Sequence, residues 1–324
     1  MFFEKNSNRR KSESAPRIVK LPRHRLRYLA STLLSLHRPP PLPSLPTHPL
    51  TVVCVSDTHG TRPLIPPGDL LLHAGDLSKW GTFSEIQAQL TWLSDQPHKY
   101  KAIIAGNHDL LLDLKFKEQY PQRCKQVAQA ASDDQHINYL DHPANDLDWG
   151  DIIYLQNTSV TLRFPCDRSL RIYGSPLTPQ YSISAFQHPL SDDVWAGKVP
   201  GDTDIILTHG PPRGHLDGLK KSGCAFLMQE VLRVRPRLIV YGHIHVGYGI
   251  EERVYDRVGK AHEHISGQSG GWGTLICVAW GVMWGYLIPR SRRKPERRTT
   301  FVNAAVVEGW ENHVVKNEAV VLQI

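Results

Sequence analysis

A chain of 324 residues with 40% hydrophobic content has room for a buried core and one or two domains, and its five scattered cysteines, with no Cys-x-x-Cys pair, exclude a disulfide framework or a thiolate zinc site. The formal net charge of +7 sits in two stretches, ten Lys or Arg against two acids in residues 1–50 and six against one in 290–298, so the remainder is mildly acidic and nucleic-acid binding is not required. Cysteine usage points to a reducing compartment and no apolar core of signal-peptide length follows the basic N-terminus, so the expected setting is the cytoplasm, with a mitochondrial presequence as the lesser reading.

Residues 1–50 read as a basic, Pro-rich, flexible N-terminal extension. A short amphipathic helix is predicted over Leu26–Leu36, followed by Arg38-Pro-Pro-Pro-Leu-Pro-Ser-Leu-Pro-Thr-His-Pro, a composition that favours an extended linker. The boundary falls near 50, and 51–324 is expected to form the second domain. Thr51-Val-Val-Cys-Val-Ser56 is a continuous β-branched run that predicts a buried strand, with Cys54 as a small core hydrophobe. It ends in Asp57-Thr58-His59, a carboxylate and an imidazole at a strand's C-terminal edge, where open α/β sheets place their ligand sites. Asp69-Leu-Leu-Leu-His-Ala74 predicts the second strand and ends in Gly75-Asp76. Thr82 and Glu85 form a capping box before a helix with Phe83, Ile86, Leu90 and Leu93 on one face.

Lys101-Ala-Ile-Ile-Ala105 is the third strand, ending in Gly106-Asn107-His108-Asp109, and the helical stretch from Leu110 is interrupted at Pro121. Asp151–Leu155, Val160–Arg163 and Leu170–Tyr173 are short strands that read as a meander. Asp204-Ile-Ile-Leu-Thr208 runs into His209-Gly210. A helix capped by Ser222 then turns Leu227, Met228, Val231 and Leu232 inward, and Arg237-Leu-Ile-Val-Tyr241 runs into Gly242-His243-Ile244-His245. After an insertion at about 251–299, Thr300–Val307 and Ala319–Leu322 close the set as strands.

Five strand ends thus carry Asp57/His59, Asp76, Asn107/His108, His209 and His243/His245. Carboxylate, amide and imidazole without thiolate suit Zn, Mn, Fe or Mg and disfavour Cu(I) or iron–sulfur centres. Eight donors exceed one tetrahedral site. The natural arrangement is two divalent ions about 3.5–4 Å apart that share a bridging carboxylate, a pair able to generate hydroxide at neutral pH and to clamp the oxygens of an in-line displacement at phosphorus. Gly75, Gly106 and Gly242 are expected to let the backbone turn sharply beside the ions. His73 reads first as strand-end packing and second as a donor behind the site. Asn303 either contacts the site from behind or satisfies buried backbone. His262 and His264, flanking Glu263, look like ligands but fall in the insertion, where a solvated loop is expected.

In order and spacing, Asp57-x-His59, Gly75-Asp76, Gly106-Asn107-His108-Asp109, Thr208-His209-Gly210 and Gly242-His243-x-His245 resemble the five motifs of the calcineurin-like metallophosphoesterases, across residues 51–245. Gly174-Ser175-Pro176, Leu207–Pro212, Gly242–Gly249 and Phe301–Ala305 are similar to the metallophosphoesterase-domain-containing branch. Some members of that branch lack the first His of the last pair; this chain keeps His243. The resemblance implies an α/β fold of two facing mixed β-sheets, a β-sandwich core flanked by helices, with the ions at strand C-termini along one edge. It implies Asp57, His59, Asp76 and His245 at one ion, and Asp76, Asn107, His209 and His243 at the other, with Asp76 bridging. His108 is implied to face the phosphate, stabilise the charged transition state and protonate the leaving oxygen, and Asp109 to orient His108. The implied reaction is hydrolysis of a phosphoester substrate, foremost a phosphodiester, by a metal-bridging hydroxide attacking phosphorus in line.

The insertion is the least readable part. Leu275–Ile288 is largely apolar, with Trp272, Trp280, Trp284 and Tyr286 in or beside it, and is short of the ~20 residues that cross a bilayer. With the following Arg290-Ser-Arg-Arg-Lys294 it reads either as a helix packed on the domain's own surface or as a peripheral membrane contact through 272–298. The alternative function is a catalytically weak scaffold of the same fold that works through protein or membrane binding; it predicts lost donors, and none of the eight is missing. A metal-dependent amidohydrolase would open with His-x-His rather than Asp57-x-His59. Cyclic nucleotide, lipid head group, nucleotide and phosphoprotein all stay open as substrates.

Overall fold

The computed structural model describes residues 23–38, 47–132, 144–266, 270–289, 297–308 and 314–324. They divide into two units, a helical one from residues 23–38 and 256–289 and a larger one from 47–255 and 297–324. Most of the Pro-rich linker and the basic run 290–296 lie outside the described residues.

In chain order the elements begin with α1 (Arg23–Ser35), β1 (Thr51–Val55), β2 (Leu70–Ala74), α2 (Phe83–Ser94), β3 (Tyr100–Ile104), α3 (Leu114–Gln119), α4 (Pro121–Ser132) and β4 (Ile152–Tyr154). They continue with β5 (Thr158–Phe164), β6 (Arg168–Ser175), β7 (Thr178–Pro179), β8 (Gln187–His188), β9 (Ile205–Thr208), α5 (Ala225–Val234) and β10 (Leu238–Tyr241). Last come β11 (Gly249–Val254), α6 (Arg257–Ser266), α7 (Trp272–Leu287), β12 (Arg298–Asn303) and β13 (Val320–Gln323).

The larger unit is an α/β structure of two mixed sheets. One runs β13-β1-β2-β3-β4 and is parallel except at β13. The other runs β11-β12-β10-β9-β6-β5, parallel in its middle and antiparallel at both edges. The two-residue period of each strand sorts its side chains into layers. Val52, Cys54, Leu70, Leu72, Ala102 and Ile104 of the first sheet meet Ile172, Ile205, Leu207, Leu238, Val240 and Val302 of the second in one inter-sheet core. The alternate residues Val53, Val55, Leu71 and Ile103 pack outward on Ile86, Leu90 and Leu93 of α2. Ile206, Ile239, Tyr241 and Phe301 do the same against Leu227, Val231 and Val234 of α5. Strands buried on both faces need continuous apolar runs, which is why β1, β2, β9 and β10 read so plainly.

Three local expectations change. The stretch 151–173 is no meander: β4 extends the first sheet in parallel with β3, and only β5 and β6 form an antiparallel hairpin, in the other sheet. The chain crosses between sheets at residues 155–157, where Leu155 enters the inter-sheet core. The cap of α5 is Cys224 rather than Ser222, with its Sγ accepting the Leu227 N–H at 3.4 Å. Backbone bonds from Cys224 N–H to Pro211 O (2.9 Å) and from Arg213 N–H to Cys224 O (3.0 Å) hold the chain extended two residues longer than the serine signal suggests. His262 and His264 lie on α6, not in a loop, and His262 Nε2 is 3.3 Å from Ser31 Oγ of α1. The capping box forms as expected: Thr82 Oγ1 accepts from Glu85 N–H, and the Glu85 carboxylate accepts from Thr82 N–H, both at 3.1 Å.

The helical unit is built from α1, α6 and α7 around Leu26, Ala30, Val258, Ile265, Leu275, Val278 and Val282. His37 Nε2 lies 2.5 Å from Asp256 Oδ2, closing the turn after α1 onto the start of α6. Among the described residues no helix is long and apolar enough to cross a membrane.

Leu72 is fully buried between the sheets. Leu72→Ala is expected to destabilise the fold by about 2–5 kcal/mol, read as a lower urea midpoint; an unchanged midpoint would contradict the two-sheet core.

Candidate metal centre

Parallel strands from both sheets deliver their C-terminal ends to one edge. Asp57 and His59 follow β1, Asp76 follows β2, Asn107 and His108 follow β3, His209 follows β9, and His243 and His245 follow β10. Backbone bonds lace these loops together: Asp57 N–H to Gly75 O (2.9 Å), His59 N–H to Asp76 O (3.0 Å) and Gly242 N–H to His209 O (3.1 Å). Four of the donors sit in the left-handed region that side chains avoid, Asp57 (φ 55°), His59 (φ 44°), Asp76 (φ 55°) and His243 (φ 65°). Such conformations are held by surrounding structure and cluster where function needs them. Nothing in the local sequence announces them.

The side chains converge on Asp76. Its Oδ1 accepts the His108 backbone N–H at 2.8 Å, while its Oδ2 lies 3.3 Å from His209 Nε2 and 3.7 Å from His59 Nε2. Asn107 Oδ1 is 3.0 Å from the same His209 nitrogen, with the Asn107 amide N–H turned to Ser184 Oγ. Asp57 accepts the His243 N–H on both oxygens at 3.0 Å, and its Oδ1 is 3.2 Å from His245 Nε2. The His59 and His108 rings meet edge-on at 4.7 Å, and His209 and His243 at 5.1 Å. Among the described residues three sets of candidate ligand atoms lie within 4.8 Å of one another: Asp57, His59 and His245; His59, Asp76 and His108; Asp76, His209 and His243. The sequence-derived donors are therefore brought together, with Asp76 and His59 common to neighbouring sets.

These groups suit divalent cations. His59 Nδ1 faces Ser78 O at 3.2 Å and so carries the hydrogen, leaving Nε2 buried without a hydrogen-bond partner. His209 Nδ1 donates to Ala74 O at 2.8 Å, so its Nε2 points at two acceptors, Asp76 Oδ2 and Asn107 Oδ1. A cation would give His59 Nε2 a partner and would take the place of the proton at His209 Nε2, with the far nitrogens already fixed on backbone carbonyls as metal-binding imidazoles require. The electrostatics agree. Burial opposes the charge of Asp76, yet His209, His108 and His59 outweigh it and hold the carboxyl well below the usual range. Burial likewise opposes Asp57, whose carboxyl is held low by the hydrogen bond and charge of His245. Burial pushes His59 down to about 4 and His243 to about 3, so both stay neutral and able to ligate. His209 goes the other way: burial would lower it, but the Asp76 charge and hydrogen bond carry it up to about 9.

Asp109 takes a different place from the one implied. Its carboxylate accepts from Leu77 N–H (3.2 Å), Ser78 N–H (2.9 Å), Ser78 Oγ–H (2.7 Å) and Gly106 N–H (2.8 Å). It ties the β2 loop to the β3 loop, while the His108 ring is oriented by Lys79 O, 2.8 Å from Nδ1. Burial, then the charge of Asp76, lifts the Asp109 carboxyl to about 6. The glycines also divide. Gly75 does turn with φ 93°, but Gly106 and Gly242 serve close approach, since a Cβ would fall 2.2 Å from Asp76 Oδ1 and 1.9 Å from Asp57 Oδ2. His73 bonds Thr58 Oγ1 at 3.1 Å and accepts the Gly75 N–H at 3.2 Å, bracing the loop between Asp57 and His59. Asn303 donates to Ile244 O (2.9 Å) and Leu216 O (3.1 Å), fixing the backbone between His243 and His245. Sequence reasoning missed Ser78, Ser184 and the Lys79 carbonyl, which act through backbone or across 77 residues and leave no local pattern.

A model of the calcineurin-like phosphoesterase family matches residues 50–247. The chain is 40% identical over 208 residues to human metallophosphoesterase domain-containing protein 1, covering 61% of each chain. It is also 40% identical over 279 residues to a probable rhamnogalacturonate lyase C of Emericella nidulans, covering 84% of this chain and 24% of that protein. A UPF0046 protein of Caenorhabditis elegans is 34% identical over 223 residues, 64% of this chain and 54% of the relative. The matched region thus spans a quarter to three-fifths of the length of these relatives. With the match over most of the chain, the five ordered motifs and their convergence at one edge of two facing sheets, the chain belongs to the calcineurin-like phosphoesterase family.

Proposed function

We propose that the chain hydrolyses a phosphoester, a phosphodiester in preference to a monoester, with two divalent cations. Asp57, His59, Asp76 and His245 would hold one, and Asp76, Asn107, His209 and His243 the other. The observation that carries this reading is the convergence of seven carboxylate, amide and imidazole side chains, Asp76 among them, from the ends of five strands. When bound, the cations would neutralise charge developing on phosphoryl oxygens and acidify an attacking water.

The protein's own groups account for the rest. His108 keeps Nδ1–H on Lys79 O, which fixes its ring plane, and a nitrogen of that ring lies within 4.8 Å of the His59 and Asp76 ligand atoms. As imidazolium it would hydrogen-bond a phosphoryl oxygen and hand a proton to the leaving oxygen. Asp109 is a positioning residue: its four bonds keep the loops bearing Asp76 and His108 in register. The buried, left-handed backbone at Asp57 and Asp76 keeps both carboxylates preorganised.

Metal-stripped protein should hydrolyse bis(p-nitrophenyl) phosphate only after Mn²⁺, Zn²⁺ or Mg²⁺ is restored, and faster than p-nitrophenyl phosphate. His108→Ala should lower kcat by about 10²–10³-fold with metal binding retained. Asp76→Ala should lose metal binding as well. Turnover without metal, or undiminished in both variants, would refute the reading; tight binding with no turnover by any ion would favour the scaffold.

His209 gives a pH test. Its value in the metal-free fold lies above the ordinary one, so its pairing with Asp76 stabilises fully below about 6.5 and is lost as pH rises through about 9. A cation needs the lone pair of the same Nε2. Loading the metal-free protein at neutral pH is therefore expected to release about one proton from His209, visible as a calorimetric heat that varies with the ionisation enthalpy of the buffer. In His209→Asn that dependence should shrink; a wild-type heat independent of buffer would remove His209 from the ligand set.

A further inference from the structure

Helix α7 contains no charged residue in its sixteen positions, yet it buries only Leu275, Val278, Val282 and Gly285. A helix that is apolar all round is ordinarily buried all round. Here most of the circumference is open: Ile276 is 66%, Trp280 59% and Leu287 65% exposed, with Trp272, Met283 and Trp284 also on the surface. The Trp280 and Trp284 rings stack with centroids 6.3 Å apart, so the open face is a continuous aromatic ridge. Water is a poor solvent for such a ridge, and its amphipathic rings suit a headgroup layer.

Charge selects the occupant. In sequence, α7 is followed by Arg290, Arg292, Arg293 and Lys294 with no acid before Glu296. Helix α1 of the same unit carries Arg23, Arg25 and Arg27 with no acid at all. At the C-terminal end of α7, the Arg38 guanidinium lies 4.0 Å over the Tyr286 ring, and Tyr286 Oη–H donates to Leu36 O at 3.1 Å. A second copy of this chain docking on the same ridge would bring like charges together, whereas an anionic bilayer attracts them. The helix is about 24 Å long at 1.5 Å per residue, short of a hydrocarbon core of about 30 Å.

We propose that α7 is a peripheral membrane anchor, its exposed Trp–Ile–Leu face seated in the headgroup region of an anionic bilayer. The test is co-sedimentation of the full chain with phosphatidylcholine vesicles, with and without phosphatidylserine. Binding is expected only with phosphatidylserine, to weaken with added salt, and to be accompanied by a blue shift of tryptophan emission. Trp280→Ser combined with Trp284→Ser should weaken binding by about tenfold or more with an unchanged melting temperature, since both rings are exposed. Charge reversal of Arg292 and Arg293 should abolish the phosphatidylserine preference. The proposal is overturned by no binding to either vesicle, by binding indifferent to both variants, by retention on vesicles through alkaline carbonate, which means insertion across the bilayer, or by a dimer in sedimentation velocity that the tryptophan pair alone dissolves.

Discussion

Everything at the edge of the two sheets answers to the burial of Asp76. An ionised carboxylate this deeply enclosed costs several kcal/mol unless charge and hydrogen bonds compensate it. The compensation comes from the His108 backbone N–H that follows β3, from the charge and hydrogen bond of His209, and from the charges of the His108 and His59 imidazoles. None of these groups is near Asp76 in sequence, so both sheets have to present their strand ends at one place. The closeness is also steric: the missing side chain of Gly106 is what lets Asp76 stand where it does. Sheet packing and electrostatics are here one constraint seen at two distances.

That constraint explains the unequal roles of neighbouring residues. Asp57 and Asp76 face the imidazole cluster and sit on left-handed backbone; Asp109 gives its oxygens to amide and hydroxyl hydrogens. Both kinds of carboxylate are buried, yet Asp76 lies well below the usual range and Asp109 near 6, because one is surrounded by imidazoles and the other lies next to Asp76 itself. The loops beneath are held by neutral groups, His73 on Thr58 and Asn303 on Ile244, whose fixed tautomer or amide adds no charge to an already charged edge.

Much of the fold and of the donor set was legible because both are written in local patterns. Strands buried on both faces must be apolar throughout, and donors must stand directly after them; β1 with Asp57 and His59, and β10 with His243 and His245, show both in a few residues. The capping box at Thr82 and Glu85 is local by construction. What stayed hidden depends on partners far along the chain. Whether β4 joins β3 or β5 is decided by packing of Leu155 between the sheets. Cys224 displaces Ser222 as the cap because of backbone bonds to Pro211 and Arg213. Asp109 leaves the His108 ring because amides of the β2 loop outbid it. The three-helix unit draws on residues more than 200 positions apart, for instance Leu26 and Val258.

The pairing of β1 with β13 sets the timetable of folding. Thr51 lies opposite Gln323 and Cys54 opposite Val320, so the strand that leads to Asp57 acquires its outer neighbour only when nearly the whole of this sequence is available. During synthesis β1 therefore presents an open, apolar edge for as long as the ribosome takes to deliver everything between. The donor loops are made early but framed late. Truncation near residue 315 would leave that edge without its β13 partner.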